Sequence, residues 1–255
     1  MPRLRPGRHR RPRRQISLPQ LLPNLLTLGA ICAGLTSMRL AIDGRVNEAV
    51  ALVVLAAILD ALDGRLARML RSESAIGAEL DSLADFLNFG VATGMLVFLS
   101  TALSSLGWIA VLIYVICCVM RLARFNVDAR QPTPGHSLGG FIGVPSPAGA
   151  MLAMMPVFVH RAMPGWEAPS ALVAVWLVAV GLLMVSRLPT PSLKLLRFRP
   201  EMLPYFVILL VALMAVLFTW PWWTLLAIDL LYICVIAWSV VNRRRNAKER
   251  SPDET

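Results

Sequence analysis

Charged residues are scarce in this chain, and that scarcity excludes an ordinary soluble domain. Of its 255 residues only 16% are charged, whereas 57% are hydrophobic, and the mean hydropathy is +0.65. This composition is typical of a protein that crosses a membrane several times. Because charges are costly beside a bilayer, the few that are present indicate where the chain meets water and where a functional site lies.

Cysteine and histidine are also sparse, with four and three residues. The cysteines lie inside apolar stretches without metal-ligand spacing, so we expect packed thiols and no disulfide framework. A convincing small-residue cleavage site is missing after the first apolar run, and we therefore expect that run to be a membrane span. An inverted repeat of the kind found in transporters is missing too.

Eight apolar runs follow one another, each close to the ~20 residues that a helix needs to cross a bilayer. They cover residues 21–41, 48–64, 84–104, 107–122, 146–163, 170–187, 203–220 and 222–241. The chain is therefore predicted to be an all-α integral membrane protein, a polytopic bundle of about eight transmembrane helices. We divide it into a disordered polybasic arm (1–15), a membrane-embedded domain (16–242) and a polar basic tail (243–255).

The basic residues predict the orientation of the bundle. A net charge of +10 could suggest nucleic acid, but these residues lie in the two tails and in alternate loops. With the amino terminus in the cytoplasm, all but three of the 25 Lys and Arg lie on the cytoplasmic side, the exceptions being Arg39, Arg45 and Arg161. The positive-inside rule thus predicts that both termini are cytoplasmic, and we expect the tails to contact an anionic lipid surface, not nucleic acid.

The acidic residues concentrate in one short stretch, DALDGRLARMLRSESAIGAELDSLAD, which runs from Asp60 to Asp85. Asp60 and Asp63 are spaced i,i+3, and Gly77, Asp81 and Asp85 follow one another in steps of four, so each set lies on one face of a helix. Two antiparallel helices would bring these acids together with several small residues at the cytoplasmic face. Acids in this position indicate a functional site.

The residue types predict a metal and phosphate site. Crowded carboxylates need a positive partner, and an oxygen-only ligand set suits Mg²⁺, Mn²⁺ or Ca²⁺. Gly64, Ala67 and Gly77 leave a groove in which a flat ring or a phosphate could approach the backbone, and Arg68 supplies a cation for a diphosphate. This combination favours transfer onto or from a membrane-embedded phosphate ester, although spacing alone does not name the substrate.

Two functions of other classes compete with this hypothesis. A divalent-cation transporter could use the acids as its ion site, although they lie at one face and not at the midplane where transporters bind their ions. A non-catalytic scaffold could recruit anionic lipid through the basic tails. Asp229, within the last apolar run, has no chemistry that the sequence assigns.

The whole pattern resembles the signature of the CDP-alcohol phosphatidyltransferases, as Asp60-x2-Asp63-Gly64-x2-Ala67-Arg68-x8-Gly77-x3-Asp81-x3-Asp85. The resemblance implies a six-helix core followed by two further helices, with 16–242 as the catalytic domain. It implies displacement of CMP from a CDP-linked lipid by an alcohol, with two Mg²⁺ or Mn²⁺ ions. The implied metal ligands are Asp60, Asp63, Asp81 and Asp85, with Asp85 also the catalytic base; the implied CDP-binding residues are Asp60, Gly64, Ala67, Arg68, Gly77 and Asp81.

Three further stretches resemble the phosphatidylserine synthase branch of that family: 23–27 (PNLLT), 121–126 (RLARFN) and 141–150 (FIGVPSPAGA). Ala30 departs from the branch, which often carries Asn there. The resemblance implies a multi-pass homodimer in the inner membrane that uses CDP-diacylglycerol and L-serine, and Arg121, Arg124 and Asn126 suit an amino-acid acceptor. Glycerol phosphate, inositol phosphate or choline are alternative acceptors. The Gly- and Pro-rich segment 125–147 is predicted to be irregular.

Overall fold

The computed structural model of the chain describes residues 18–101, 103–130, 141–186, 189–190 and 203–249. Within them the fold is almost wholly helical, with one pair of two-residue antiparallel strands. In chain order the elements are α1 (Leu18–Ile42), α2 (Val46–Met69), α3 (Ala75–Asp85), the π-helix π1 (Phe86–Ala92), α4 (Thr93–Ser100), α5 (Ser105–Arg130), β1 (Phe141–Ile142), α6 (Ser146–Ala162), α7 (Ser170–Val185), β2 (Pro189–Thr190), α8 (Leu203–Thr219) and α9 (Pro221–Glu249).

The helices correspond one to one with the predicted apolar runs, because α3, π1 and α4 follow one another without a break. Four helical stretches in the described ranges are long and apolar enough to cross a membrane: Leu21–Ile42, Ala75–Ser100, Gly107–Asp128 and Pro221–Asn242. Ser170–Val185 and Val207–Thr219 are shorter apolar helices. The prediction of a helical membrane bundle is confirmed, while the number of membrane crossings and the side of the termini stay predictions.

Several predicted boundaries were wrong. The third run was expected at 84–104, but its helix begins at Ala75 and ends at Ser100, and α2, α5 and α9 continue beyond 64, 122 and 241. The segment 125–147 was expected to be irregular, yet α5 includes its first residues up to Arg130 and α6 begins at Ser146; residues 131–140 lie outside the described ranges. Hydropathy marks only the apolar part of a helix, and charged residues do not end the backbone hydrogen bonding.

The turn between α2 and α3 is closed by local hydrogen bonds. Arg71 has a φ of 49° in the left-handed region, a position usually filled by glycine after a helix. The Ser72 amide donates to Ala67 O at 3.0 Å and the Arg71 amide to Arg68 O at 3.2 Å, as in a Schellman motif. The Ser74 hydroxyl then caps α3 by accepting from the Gly77 amide at 3.0 Å. The acid-bearing helices therefore meet through a short, defined turn.

The remaining helices support this acid-bearing pair. α1 packs mainly along α2, α5 packs along α7, and α6 packs against α9. The main core is formed by buried side chains such as Val53, Leu96, Tyr114, Phe158 and Leu177. α8, by contrast, exposes most of its apolar side chains, which is how a lipid-facing helix appears once the bilayer is removed.

Candidate active site

Three of the four predicted metal ligands converge in the structure. One carboxylate oxygen each from Asp60, Asp63 and Asp81 lies within 4.8 Å of the others. Asp60 and Asp63 occupy one face of α2, and Asp81 lies on the facing side of α3, as the i,i+3 and i,i+4 spacings predicted. Asp63 is only 4% exposed. The acids therefore face inward between two helices and are not solvated surface charges.

The fourth acid, Asp85, lies one turn further along α3 and is in contact with Asp60. Its Oδ1 atom is buried and has no hydrogen-bond partner in the described part of the chain. Arg121 of α5 acts electrostatically on both Asp85 and Asp60. Asp85 therefore lies between the acid cluster and the guanidinium, with one oxygen free to receive a proton.

A hydroxyl from α1 fixes the orientation of Asp63. Thr27 Oγ1 donates to Asp63 Oδ2 at 2.6 Å, and both residues are buried. A carboxylate held in this way keeps its remaining lone pairs directed at a ligand, which is the usual arrangement behind a metal site. Sequence reasoning assigned no role to Thr27 itself, although the stretch 23–27 was one of those that carried the resemblance.

The cluster fits a divalent metal ion by its chemistry. The converging atoms are all carboxylate oxygens, the ligands that Mg²⁺ and Mn²⁺ prefer. In the described ranges the ion pairs are Arg39–Asp43 and Arg45–Glu48, at the opposite ends of α1 and α2, so neither compensates the cluster. Several carboxylates so close to one another need additional positive charge to remain ionised together.

A groove of about 280 Å³ opens beside the acids between α1, α2 and α3. Its lining includes Asp63 and Asp81 together with the residues that the sequence predicted to bind CDP on the same faces, which are Gly64, Ala67, Arg68 and Gly77. Asn24, Thr27 and Ser74 complete one side. Asp60 lies in the acid cluster but is not part of the groove lining. The groove is therefore continuous with the cluster through two shared carboxylates.

The small residues of the groove have different surroundings. A Cβ added at Gly64 would meet only Arg68 Nη1, at 3.6 Å, so the protein itself leaves that space open. A Cβ at Gly77 would come within 3.0 Å of Ser74 Oγ and 3.1 Å of Asn24 Oδ1. Gly77 is therefore needed for close packing of the helix start, whereas Gly64 clears room for a ligand.

The predicted acceptor residues diverge in the structure. Arg121 lies beside the acids, and its Nη1 donates to the Ser146 hydroxyl at the start of α6. Arg124 Nη1 donates to Val185 O, at 2.9 Å, and so caps the carboxyl end of α7. Asn126 Nδ2 donates to Ser82 Oγ, at 3.0 Å, next to Asp81. Only Arg121 is in electrostatic contact with the cluster, and binding of an acceptor by all three residues stays a prediction.

The Gly143 backbone explains why α6 begins beside Arg121. Its φ is +86°, and a Cβ there would lie 2.6 Å from Met184 O and 2.8 Å from Ser186 O. The chain therefore passes directly over the carboxyl end of α7, which a larger residue would prevent. This close approach brings Ser146 to the guanidinium of Arg121.

A π-helical turn follows the catalytic stretch directly, over Phe86–Ala92. Each such turn adds a residue to the helix and rotates the faces on either side of it. The Tyr114 hydroxyl, on α5, donates to Phe89 O at 2.5 Å, and the Thr93 hydroxyl donates to Asn88 O at 2.9 Å. Neither the π-helix nor Tyr114 was predicted, because nothing in the local sequence pattern distinguishes a π-turn from an α-turn.

Asp229 of α9 is 2% exposed, and its Oδ2 atom has no partner in the described part of the chain. The sequence marked it as unusual, and the structure adds its burial without assigning it a role.

An oxygen-only acid cluster, a groove beside it and a helical membrane bundle together define an integral membrane enzyme of phosphate-ester transfer. The family model described as CDP-alcohol phosphatidyltransferase matches residues 20–186, which include all four acids and the groove. The chain belongs to this family.

Curated relatives share most of the chain. A CDP-diacylglycerol–serine O-phosphatidyltransferase of Mycobacterium leprae is 39% identical over 239 residues, covering 92% of this chain and 79% of the relative. One of Mycobacterium tuberculosis is 35% identical over 240 residues, covering 92% and 82%. One of Helicobacter pylori is 34% identical over 194 residues, covering 75% and 79%. The similarity therefore extends past the family match into the carboxyl-terminal helices for the mycobacterial relatives.

Proposed function

We propose that this protein transfers the phosphatidyl group of CDP-diacylglycerol to L-serine, giving phosphatidylserine and CMP. The observation that carries the proposal is the groove between α1, α2 and α3, which is continuous with the cluster of Asp60, Asp63 and Asp81. The names of the curated relatives support the pair of substrates.

The donor occupies the groove. The open space at Gly64, together with Ala67 and Gly77, receives the cytidine, and Arg68 at the same wall pairs with the diphosphate. Asp60, Asp63 and Asp81 would hold Mg²⁺ or Mn²⁺, with Asp85 completing a second site. When bound, the metal supplies positive charge that stabilises the diphosphate and the departing CMP.

The acceptor reacts at Asp85. Its unpartnered Oδ1 takes the proton from the serine hydroxyl, whose oxygen forms a bond to the phosphatidyl phosphorus while the bond from that phosphorus to the CMP oxygen breaks. The nearby Arg121 balances the negative charge that gathers at this point. Arg121, Arg124 and Asn126 remain the proposed acceptor residues, with Arg121 the best supported of them.

The location of the site follows from the charge pattern. We place the protein in the inner membrane with eight crossings, both termini and the acid cluster on the cytoplasmic side, and the basic tails against anionic lipid. The proposed division remains an arm (1–15), a catalytic domain (16–242) and a basic tail (243–255). Residues 1–15 and the last residues of the tail lie outside the described ranges. The homodimer stays a prediction.

A CMP-release assay tests the function. Purified protein with CDP-diacylglycerol, L-serine and Mn²⁺ or Mg²⁺ is expected to release CMP in proportion to phosphatidylserine formed. Asp85→Asn keeps the shape of the side chain but removes the base, so we expect kcat to fall about 10²- to 10⁴-fold while nucleotide binding persists. Asp43→Asn, the same change at the exposed α1–α2 loop, is the matched control and is expected to behave as the wild type.

A panel of acceptors completes this test. Absence of serine-dependent CMP release from the wild-type protein would refute the proposed function. Faster release with glycerol phosphate, inositol phosphate or choline than with L-serine would keep the reaction class and replace the acceptor.

A further inference from the structure

The last helix reaches the candidate acceptor side of the site although it lies outside the residues matched by the family model. α9 packs against α6, and Tyr232 lies on the side of α9 that faces the main core. The Tyr232 hydroxyl and the Arg121 guanidinium are close enough to act on each other electrostatically. Three elements that are distant in sequence, α5, α6 and α9, therefore meet around Arg121.

Unpaired polar atoms concentrate at this meeting point. The Tyr232 hydroxyl is buried without a hydrogen-bond partner among the described residues, and so are Arg121 Nε and Asp85 Oδ1. Buried polar atoms in folded proteins are nearly always paired. Arg121 is in electrostatic contact with both of the other residues, so the three unpaired atoms surround one position. We read that position as the place of a polar ligand.

The chemistry of the three atoms specifies the ligand. A guanidinium N–H and a phenol O–H can both donate to one carboxylate, and Arg pairs with carboxylates especially well. Asp85 on the opposite side requires a hydroxyl to deprotonate. An amino acid that carries its hydroxyl on the β-carbon has these two groups a few bonds apart, as L-serine does.

We infer that Tyr232 is a specificity-determining residue, whose hydroxyl binds the α-carboxylate of the acceptor together with Arg121. This inference rests on the proposed function, since it concerns the acceptor of that reaction. It gives α9 a role in the site: the helix closes the acceptor side and selects acceptors that carry a carboxylate.

Tyr232→Phe tests the inference, with Tyr205→Phe as the matched control because Tyr205 lies exposed on α8. Loss of one hydrogen bond to a charged group is expected to raise the KM for L-serine about 10- to 100-fold, with the KM for CDP-diacylglycerol and kcat within about threefold of the wild type. The Tyr205 variant is expected to keep all three values.

Stability separates a binding role from a structural one. Because the Tyr232 hydroxyl has no described partner within the protein, its removal breaks no internal hydrogen bond, and we expect the melting temperature to be unchanged or raised. An unchanged KM for L-serine in the Tyr232 variant would overturn the inference and leave the proposed function intact. Equal losses in kcat and in both KM values, with a lower melting temperature, would also overturn it. Failure of the wild type to use L-serine would refute the proposed function itself.

Discussion

At the scale of single residues, the site depends on contacts that orient the acids as much as on the acids themselves. Asp63 is held by Thr27 at 2.6 Å, in a buried contact between α1 and α2. Partners of this kind fix the direction of a ligand's lone pairs, and their loss typically costs 10- to 100-fold in metal affinity or activity. Thr27 is therefore as important to the proposed site as the more conspicuous carboxylates.

Replacing Thr27 by Val tests this role, because valine keeps the branched shape and removes only the hydroxyl. We expect the Mn²⁺ or Mg²⁺ concentration for half-maximal CMP release to rise about 10- to 100-fold. Metal titration of the activity measures the effect. Thr27→Ser, which retains the hydroxyl, is expected to remain close to the wild type. A Val variant with an unaltered metal requirement would show that Asp63 needs no such partner.

At the scale of elements, the third rod is the most unusual. It changes from α to π geometry directly after Asp85 and returns to α geometry at Thr93. π-turns inside α-helices are frequently found at functional sites. Here the π-helix separates a face that presents acids to α2 from a face that packs into the core through Phe89, Leu96 and Val97. Tyr114 stabilises the turn by binding its Phe89 carbonyl.

The Tyr114→Phe variant is expected to be less stable by about 1–3 kcal/mol, since it leaves a buried carbonyl without its hydroxyl partner. Thermal denaturation in detergent measures the loss, and a fall in kcat is expected to accompany it because Asp85 adjoins the π-helix. The three tyrosines thus make an internal comparison. Loss of the hydroxyl should lower stability at Tyr114, serine affinity at Tyr232, and neither at Tyr205. Full stability of the Tyr114 variant would contradict this account of the π-helix.

At the scale of the whole molecule, the charge pattern and the fold agree on two distinct ends. The α2–α3 turn beside the acids carries Arg65, Arg68 and Arg71, whereas the α6–α7 connection, some 24 Å along α6 from Ser146, carries only Arg161 nearby. Basic residues concentrate in cytoplasmic loops. The acid cluster is therefore expected to open towards the cytoplasm, where serine and CMP are soluble.

Cysteine labelling tests this orientation in intact cells. After replacement of the four native cysteines, single cysteines are placed at two exposed glutamates, Glu73 in the α2–α3 turn and Glu167 in the α6–α7 connection. A membrane-impermeant maleimide is expected to label Glu167→Cys directly and Glu73→Cys only after the membrane is permeabilised. The reverse pattern would invert the proposed topology. Labelling of both positions in intact cells would show that they do not lie on opposite sides.

The sequence by itself determined the helical membrane class and the acid-bearing faces of α2 and α3. Both follow from local rules, because apolar length sets a span and the 3.6-residue period sets which side chains share a face. Helix ends, the Schellman turn at Arg71 and the π-helix depended on hydrogen bonding that hydropathy does not record. For that reason the predicted start of the third span was wrong while its acid spacing was right.

Only the tertiary structure decided which distant residues complete the site. Thr27 and Tyr232 are ordinary residues in apolar segments, and they acquire significance through packing of α1 on α2 and of α9 on α6. The divergence of Arg121 from Arg124 has the same origin, since the carboxyl end of α7 takes one guanidinium and leaves the other beside Asp85. Contacts between helices depend on how whole faces interlock, and no spacing along a single helix encodes them.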